Sequence, residues 1–130
     1  MNQAILEYNQ QQIDGEQAIC DILAQEIDTN LSGADSKIWH GHPVWFLDGN
    51  PIVGYSKLKS GVKLMFWSGA DFDEAMLSPG SGKFKDASIT YTASTQIVVE
   101  DLHRLLQKAR YIQWDYKNIV KRKGKLEKLY

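Results

Sequence analysis

Three short runs, residues 44–47, 52–59 and 62–67, are rich in β-branched and aromatic residues and are separated only by Asp48-Gly49-Asn50-Pro51 and Ser60-Gly61. Connections this short cannot carry a parallel crossover, so the runs must form antiparallel hairpins closed by turn residues. In the third run Val62, Leu64 and Phe66 point to one side and Lys63, Met65 and Trp67 to the other. One sheet face is therefore apolar and the other mixes aromatic with basic groups. Trp45, Tyr55 and Lys57 are expected to join the mixed face, which becomes a binding surface if no helix covers it. Residues 88–92, with alternating Ile89 and Tyr91, read as a further strand.

Two helices should cover the apolar face. The first is expected to be capped at Asp14, paired with Gln17, and to end near Ser32-Gly33; Ile19, Ile22, Leu23, Ile27 and Leu31 fill one arc with Cys20 and Ala24. Glu26 falls inside that arc, as a carboxylate escaping to water or as a group at a pocket rim. In the last helix Val98, Leu102, Leu105, Leu106, Ala109, Ile112, Tyr116 and Val120 share half the wheel, with Glu100 and Asp101 near its start and Arg104, Lys108 and Arg110 beyond. A second stripe beside them holds His103, Gln107, Arg110, Trp114 and Lys117. Trp114 near Arg110 reads as a half-buried flank or as the wall of a site for an anionic or aromatic ligand.

At 130 residues and 43% hydrophobic content the chain suits one domain, residues 1–130. Residues 1–12 are expected to be a polar extension, 13–123 the core and 124–130 a basic tail. No run of 18 apolar residues is present, and neither a membrane span nor a leader is expected. The single Cys20 excludes an internal disulfide and a Cys-ligated zinc site; it reads as a core residue in a reducing, cytoplasmic setting. Residues 1–36 hold seven acids and no Lys or Arg, whereas Lys117, Lys121, Arg122, Lys123, Lys125 and Lys128 crowd the end, opposed there by Glu127. A basic end interleaved with Tyr111, Trp114 and Tyr116 raises nucleic-acid contact as an alternative, against a sequence pI of 6.3.

Motifs for chemistry are sparse. Residues 78–85, Ser-Pro-Gly-Ser-Gly-Lys-Phe-Lys, suggest a phosphate loop, but Leu77 stands where that motif needs Gly and Phe84 where it needs Ser or Thr. His40 and His42 would share a face if extended, as a transition metal requires, yet no third ligand is local, and His103 could supply one only if the last helix starts beside that strand. No nucleophile and base are paired in a recognisable order.

The blocks Lys37-Ile38-Trp39-His40-Gly41-His42-Pro43-Val44-Trp45-Phe46, Gly49-Asn50-Pro51-Ile52-Val53-Gly54-Tyr55, Leu64-Met65-Phe66-Trp67-Ser68-Gly69 and Ile112-Gln113-Trp114-Asp115-Tyr116-Lys117-Asn118 resemble the domain-of-unknown-function 1801 family, the YdhG-like group. The resemblance runs from about Cys20 to Lys121. It implies a bacterial cytoplasmic α+β two-layer sandwich: a twisted antiparallel sheet of about five strands with N- and C-terminal helices on one face, similar to frataxin. It also implies, for some members, frataxin-like iron binding through surface carboxylates, for which Asp14, Asp21 and Asp28 are the candidates here; Asp21 and Asp28 lie about 10 Å apart along a helix. Otherwise no cofactor is indicated. The expected function is a small, non-enzymatic binding or adaptor domain for a small molecule or a protein. Its candidate ligand-binding residues are Trp39, His40, His42, Trp45, Trp67, His103, Arg110 and Trp114.

Overall fold

The computed structural model describes all 130 residues. Helices α1 (Gln3–Gln10) and α2 (Asp14–Asn30) precede strands β1 (Asp35–Trp39), β2 (His42–Leu47), β3 (Asn50–Leu58) and β4 (Gly61–Phe66); β5 (Ser78–Pro79), β6 (Ala87–Tyr91) and helix α3 (Val99–Tyr111) complete the chain. All strand pairs are antiparallel, in the order β1-β2-β3-β4-β6-β5. The protein is thus α+β. The sheet has six strands against the expected five, because β1 and the two-residue β5 add to the four that alternation made visible.

The expected alternation in β4 decides the layering. Val62, Leu64 and Phe66 are fully buried with Val53 and Tyr55 of β3, beneath Ile19, Leu23 and Ile27 of α2 and Leu102, Leu105, Leu106 and Ala109 of α3. Burying apolar faces of this kind contributes about 25 cal/mol per Å² and holds the helices on one side. Cys20 lies in the same core, where burial pushes its thiol up to about 12, so it is an apolar filler.

The polar extension is instead a helix. Asn2 caps α1 by accepting the Ala4 and Ile5 amides, Ile5 is fully buried, and the Tyr8 hydroxyl accepts from the Lys57 amide. The cap of α2 also shifts: Ile13 occupies it without a side-chain bond, and Asp14 and Glu16 lie in the first turn, where their charge suits the dipole.

The C-terminal half of the last helix does not form. α3 stops at Tyr111 because groups far away in sequence capture the following backbone: Ser68 Oγ accepts the Trp114 amide at 2.9 Å, and Asn50 Oδ1 accepts those of Tyr116 and Lys117, each at 3.0 Å. The basic tail is tied back as well. The Asp115 amide donates to Glu127 O and the Leu129 amide to Gln113 O, making a bridge between Trp114 and Lys128.

Glu74 pins the loop before β5 to α3. It accepts Arg104 Nε and Nη2 at 2.9 and 2.8 Å and Lys108 Nζ at 2.6 Å. Hydrogen bonds from Arg104, then from Lys108, hold its carboxyl at about 2, below its ordinary 4.5. A depressed folded-state pKa gives stability that is complete above the unfolded value and lost as pH falls through the folded one. Glu74→Gln should therefore lower the urea midpoint at neutral pH, with the two proteins converging between about pH 4.5 and about pH 2. Parallel pH curves would contradict this linkage.

Candidate functional site

Strand alternation sends Lys37 and Trp39, His42, Val44 and Phe46, Gly54 and Ser56, and Lys63 and Met65 to the sheet face opposite the helices. No helix covers it. Trp67 extends β4 by one residue through its amide to Ile52 O at 3.0 Å and lies on the same face. A Cβ at Gly54 would stand 2.6 Å from Pro43 O, so the missing side chain lets β2 approach closely here, and the Trp67 ring lies over the same position at contact distance. Trp39 meets Trp67 at 6.1 Å and Phe46 at 5.3 Å between ring centroids, and Lys37 Nζ lies 5.0 Å from the centre of Phe46.

Two concavities share Met65 and Trp67 in their linings. The larger, about 350 Å³, is lined by Met65, Trp67, Phe84, Asp86, Tyr116 and Ile119; the smaller, about 140 Å³, includes His42, Gly54, Ser56 and Lys63. The far wall of the larger one includes Tyr116 and Ile119 from the segment after α3, which passes from the helical layer to the open face. Tyr116 is held there because its hydroxyl accepts the Lys85 amide at 2.9 Å, and burial pushes that phenol up to about 12. Asp115 braces the turn behind it: although burial opposes its charge, Arg122 and Asn118 hold its carboxyl below the usual range.

The expected ligand-binding residues divide into separate places. Trp39, His42 and Trp67 come together on the open face. His40 does not share a face with His42, for it occupies the left-handed region (φ 53°) with Gly41 (φ 86°) and forms the hairpin turn between β1 and β2. Burial, the largest influence on His42, holds its imidazole below its usual pKa, and its Nδ1 is enclosed without a hydrogen-bond partner. Trp45 belongs to the helix-covered core, not the mixed face: it pairs with Val53, stacks near Tyr55 and donates its indole N–H to Asp28 at 2.7 Å. Tyr55 follows it, donating to Asn9 at 2.6 Å.

His103 and Arg110 remain on α3, across the protein from the open face, where His103 Nε2 lies 2.7 Å from Glu26 and Arg110 donates to Ser32 O. The polar stripe ends with the helix, so Trp114 is not the next step of the Arg110 line. Its indole N–H donates to Asp71 at 2.7 Å and its ring lies under Lys85 and Lys128. The carboxylates proposed for iron are dispersed: Asp14 is exposed, Asp21 accepts from Asn9 and Asp28 from Trp45. No group of three or more His, Cys, Asp or Glu side chains is placed to hold a metal ion.

Phe84, Asp86, Tyr116 and Ile119 line the larger concavity without a signal in the sequence that marks them for it. Alternation assigns Met65 and Trp67 to the mixed face, but the loop carrying Phe84 and Asp86 has no periodic signal, and Tyr116 reads as part of a helix that ends earlier. No helix is long and apolar enough to cross a membrane. No family model, curated protein or solved structure matches the chain.

Proposed function

We propose that the chain is a small, non-enzymatic binding domain that holds an organic ligand on the open sheet face, between Trp67 and the Phe84–Tyr116 wall. The supporting observation is the concavity of about 350 Å³ in which five of six lining residues are apolar and three are aromatic. Pockets of this size and composition suit small molecules, with a few polar groups setting orientation. None of those six residues is a Ser, Cys, Lys or His, which favours retention of a ligand over its turnover. Membership of the YdhG-like group is part of this proposal, resting on the Trp-rich blocks, and the single-faced α+β layout agrees with what that resemblance implies. A frataxin-like kinship belongs to the same proposal.

A fragment library titrated against isotope-labelled protein tests the reading. Binders should move the signals of Met65, Trp67 and Tyr116, and Trp67→Ala should weaken them by about tenfold or more, the scale of one lost aromatic contact. His103→Ala should leave them unaffected. Fragments that gather at His103 and Arg110, or bind Trp67→Ala equally well, would displace the site.

A further inference from the structure

We infer that the larger concavity takes a small organic cation, a quaternary or protonated amine on an apolar body; the inference rests on the proposed binding role of that same cavity. Asp86 supplies the charge. It is the single acidic residue among the six that line the cavity, is partly exposed, and takes part in no ion pair or side-chain hydrogen bond. Other partly buried carboxylates are matched: Glu16 with Lys57, Glu26 with His103, Glu74 with Arg104 and Lys108, and Asp115 with Arg122.

The neighbouring lysines do not neutralise Asp86. Lys85 directs its Nζ to the Trp114 ring at 4.9 Å, and Lys83 to the Phe84 ring at 5.7 Å. The backbone that carries the carboxylate is fixed, and the side chain packs against Gly80. Gly80 donates its amide to Asp86 O at 2.9 Å, and a Cβ on Gly80 would stand 2.4 Å from Asp86 Oδ2, so the glycine lets the loop close against the acid.

Around it stand the rings of Trp67, Phe84 and Tyr116, the last two 6.3 Å apart and inclined at 41°. Aromatic faces attract cations through the ring quadrupole, and alkylated ammonium groups gain most because they lose little hydration on entering such a box. An anion would meet the Asp86 carboxylate at close range and be repelled. A neutral ligand would gain the apolar contacts alone.

The test is calorimetry and NMR on the full chain with benzyltrimethylammonium, benzyl alcohol and phenylacetate. Benzyltrimethylammonium should bind about tenfold more tightly than either of the others, shifting Trp67 and Tyr116, and Asp86→Asn should abolish that preference while benzyl alcohol binding stays the same. Phe84→Leu, which keeps the wall apolar, should weaken the cation more than the alcohol, and it serves as the second variant if Asp86→Asn fails to fold. Equal or tighter binding of phenylacetate or benzyl alcohol at Trp67, or an unchanged preference in Asp86→Asn, would overturn the cation and leave the binding cavity intact. Silence of all three probes at Trp67 would also overturn it, with the cavity then judged by the fragment titration and Trp67→Ala.

Discussion

Asn50→Ala should destabilise the protein by roughly 3 kcal/mol and detach the segment that follows α3, because several backbone groups lose their partners together. Asn50 is buried, and its carboxamide is used at both ends: Nδ2 donates to Gln113 Oε1 at 3.1 Å and to Trp114 O at 2.9 Å, while Oδ1 accepts the amides of Tyr116 and Lys117. Only one orientation of the amide satisfies all four. Asn50→Asp retains the acceptor but places a second oxygen against Gln113 Oε1 and the Trp114 carbonyl, so it should not rescue the alanine variant. Urea unfolding gives the energy, and hydrogen exchange should show the Tyr116 and Lys117 amides losing protection before the β3 and β4 amides do. The same substitution should weaken ligand binding, since Tyr116 and Ile119 form the far wall of the cavity. A variant within about 0.5 kcal/mol of the parent, with those amides still protected, would contradict the clamp.

Ile5→Ala should cost about 3 kcal/mol, the usual scale for emptying a fully buried aliphatic position. In a domain of this size that lowers the melting temperature on the order of 10 °C. Deleting residues 1–12 should cost more, for α1 also brings Asn9, which accepts the Tyr55 hydroxyl and donates to Asp21, and Tyr8, which accepts the Lys57 amide. Removing it would uncover core and leave the Tyr55 hydroxyl without its partner. A dispensable polar extension would show no shift on truncation, and thermal or urea unfolding separates the two outcomes directly.

The fold was legible where one local rule governs many residues. Val62, Leu64 and Phe66 follow the two-residue strand period, and Leu102, Leu105, Leu106 and Ala109 the helical one; both sets are buried as expected. α1 was obscured because its sequence is Gln-rich and only isolated residues, chiefly Ile5, face inward. β1 was obscured because an edge strand needs little apolar content, and Asp35, Ser36 and Lys37 show almost none. His40 in a left-handed turn conformation carries no strong signal, since that region is more often filled by Gly or Asn.

The end of α3 is non-local in origin. Ile112 and Tyr116 continue its apolar arc and Trp114 its polar stripe, but Asn50 and Ser68, more than forty residues earlier, compete successfully for the backbone groups a longer helix would use. That competition brings Tyr116 and Ile119 to the wall of the larger concavity. Two of the six residues that line the larger concavity, Met65 and Trp67, could be read from the alternation of β4; the other four, Phe84, Asp86, Tyr116 and Ile119, come from segments whose proximity only the folded chain establishes.

The four tryptophans offer the most direct test of a binding face on the open side of the sheet. Trp45 and Trp114 have their indole N–H groups committed to Asp28 and Asp71 and neither lines the larger concavity, whereas Trp39 and Trp67 stand together on the open face. In an indole-region NMR titration with benzyltrimethylammonium, the Trp67 signal should move most and Trp39 next, with Trp45 and Trp114 nearly stationary. Movement led by Trp45 or Trp114, or uniform shifts of all four, would contradict the assignment of the binding site to this face.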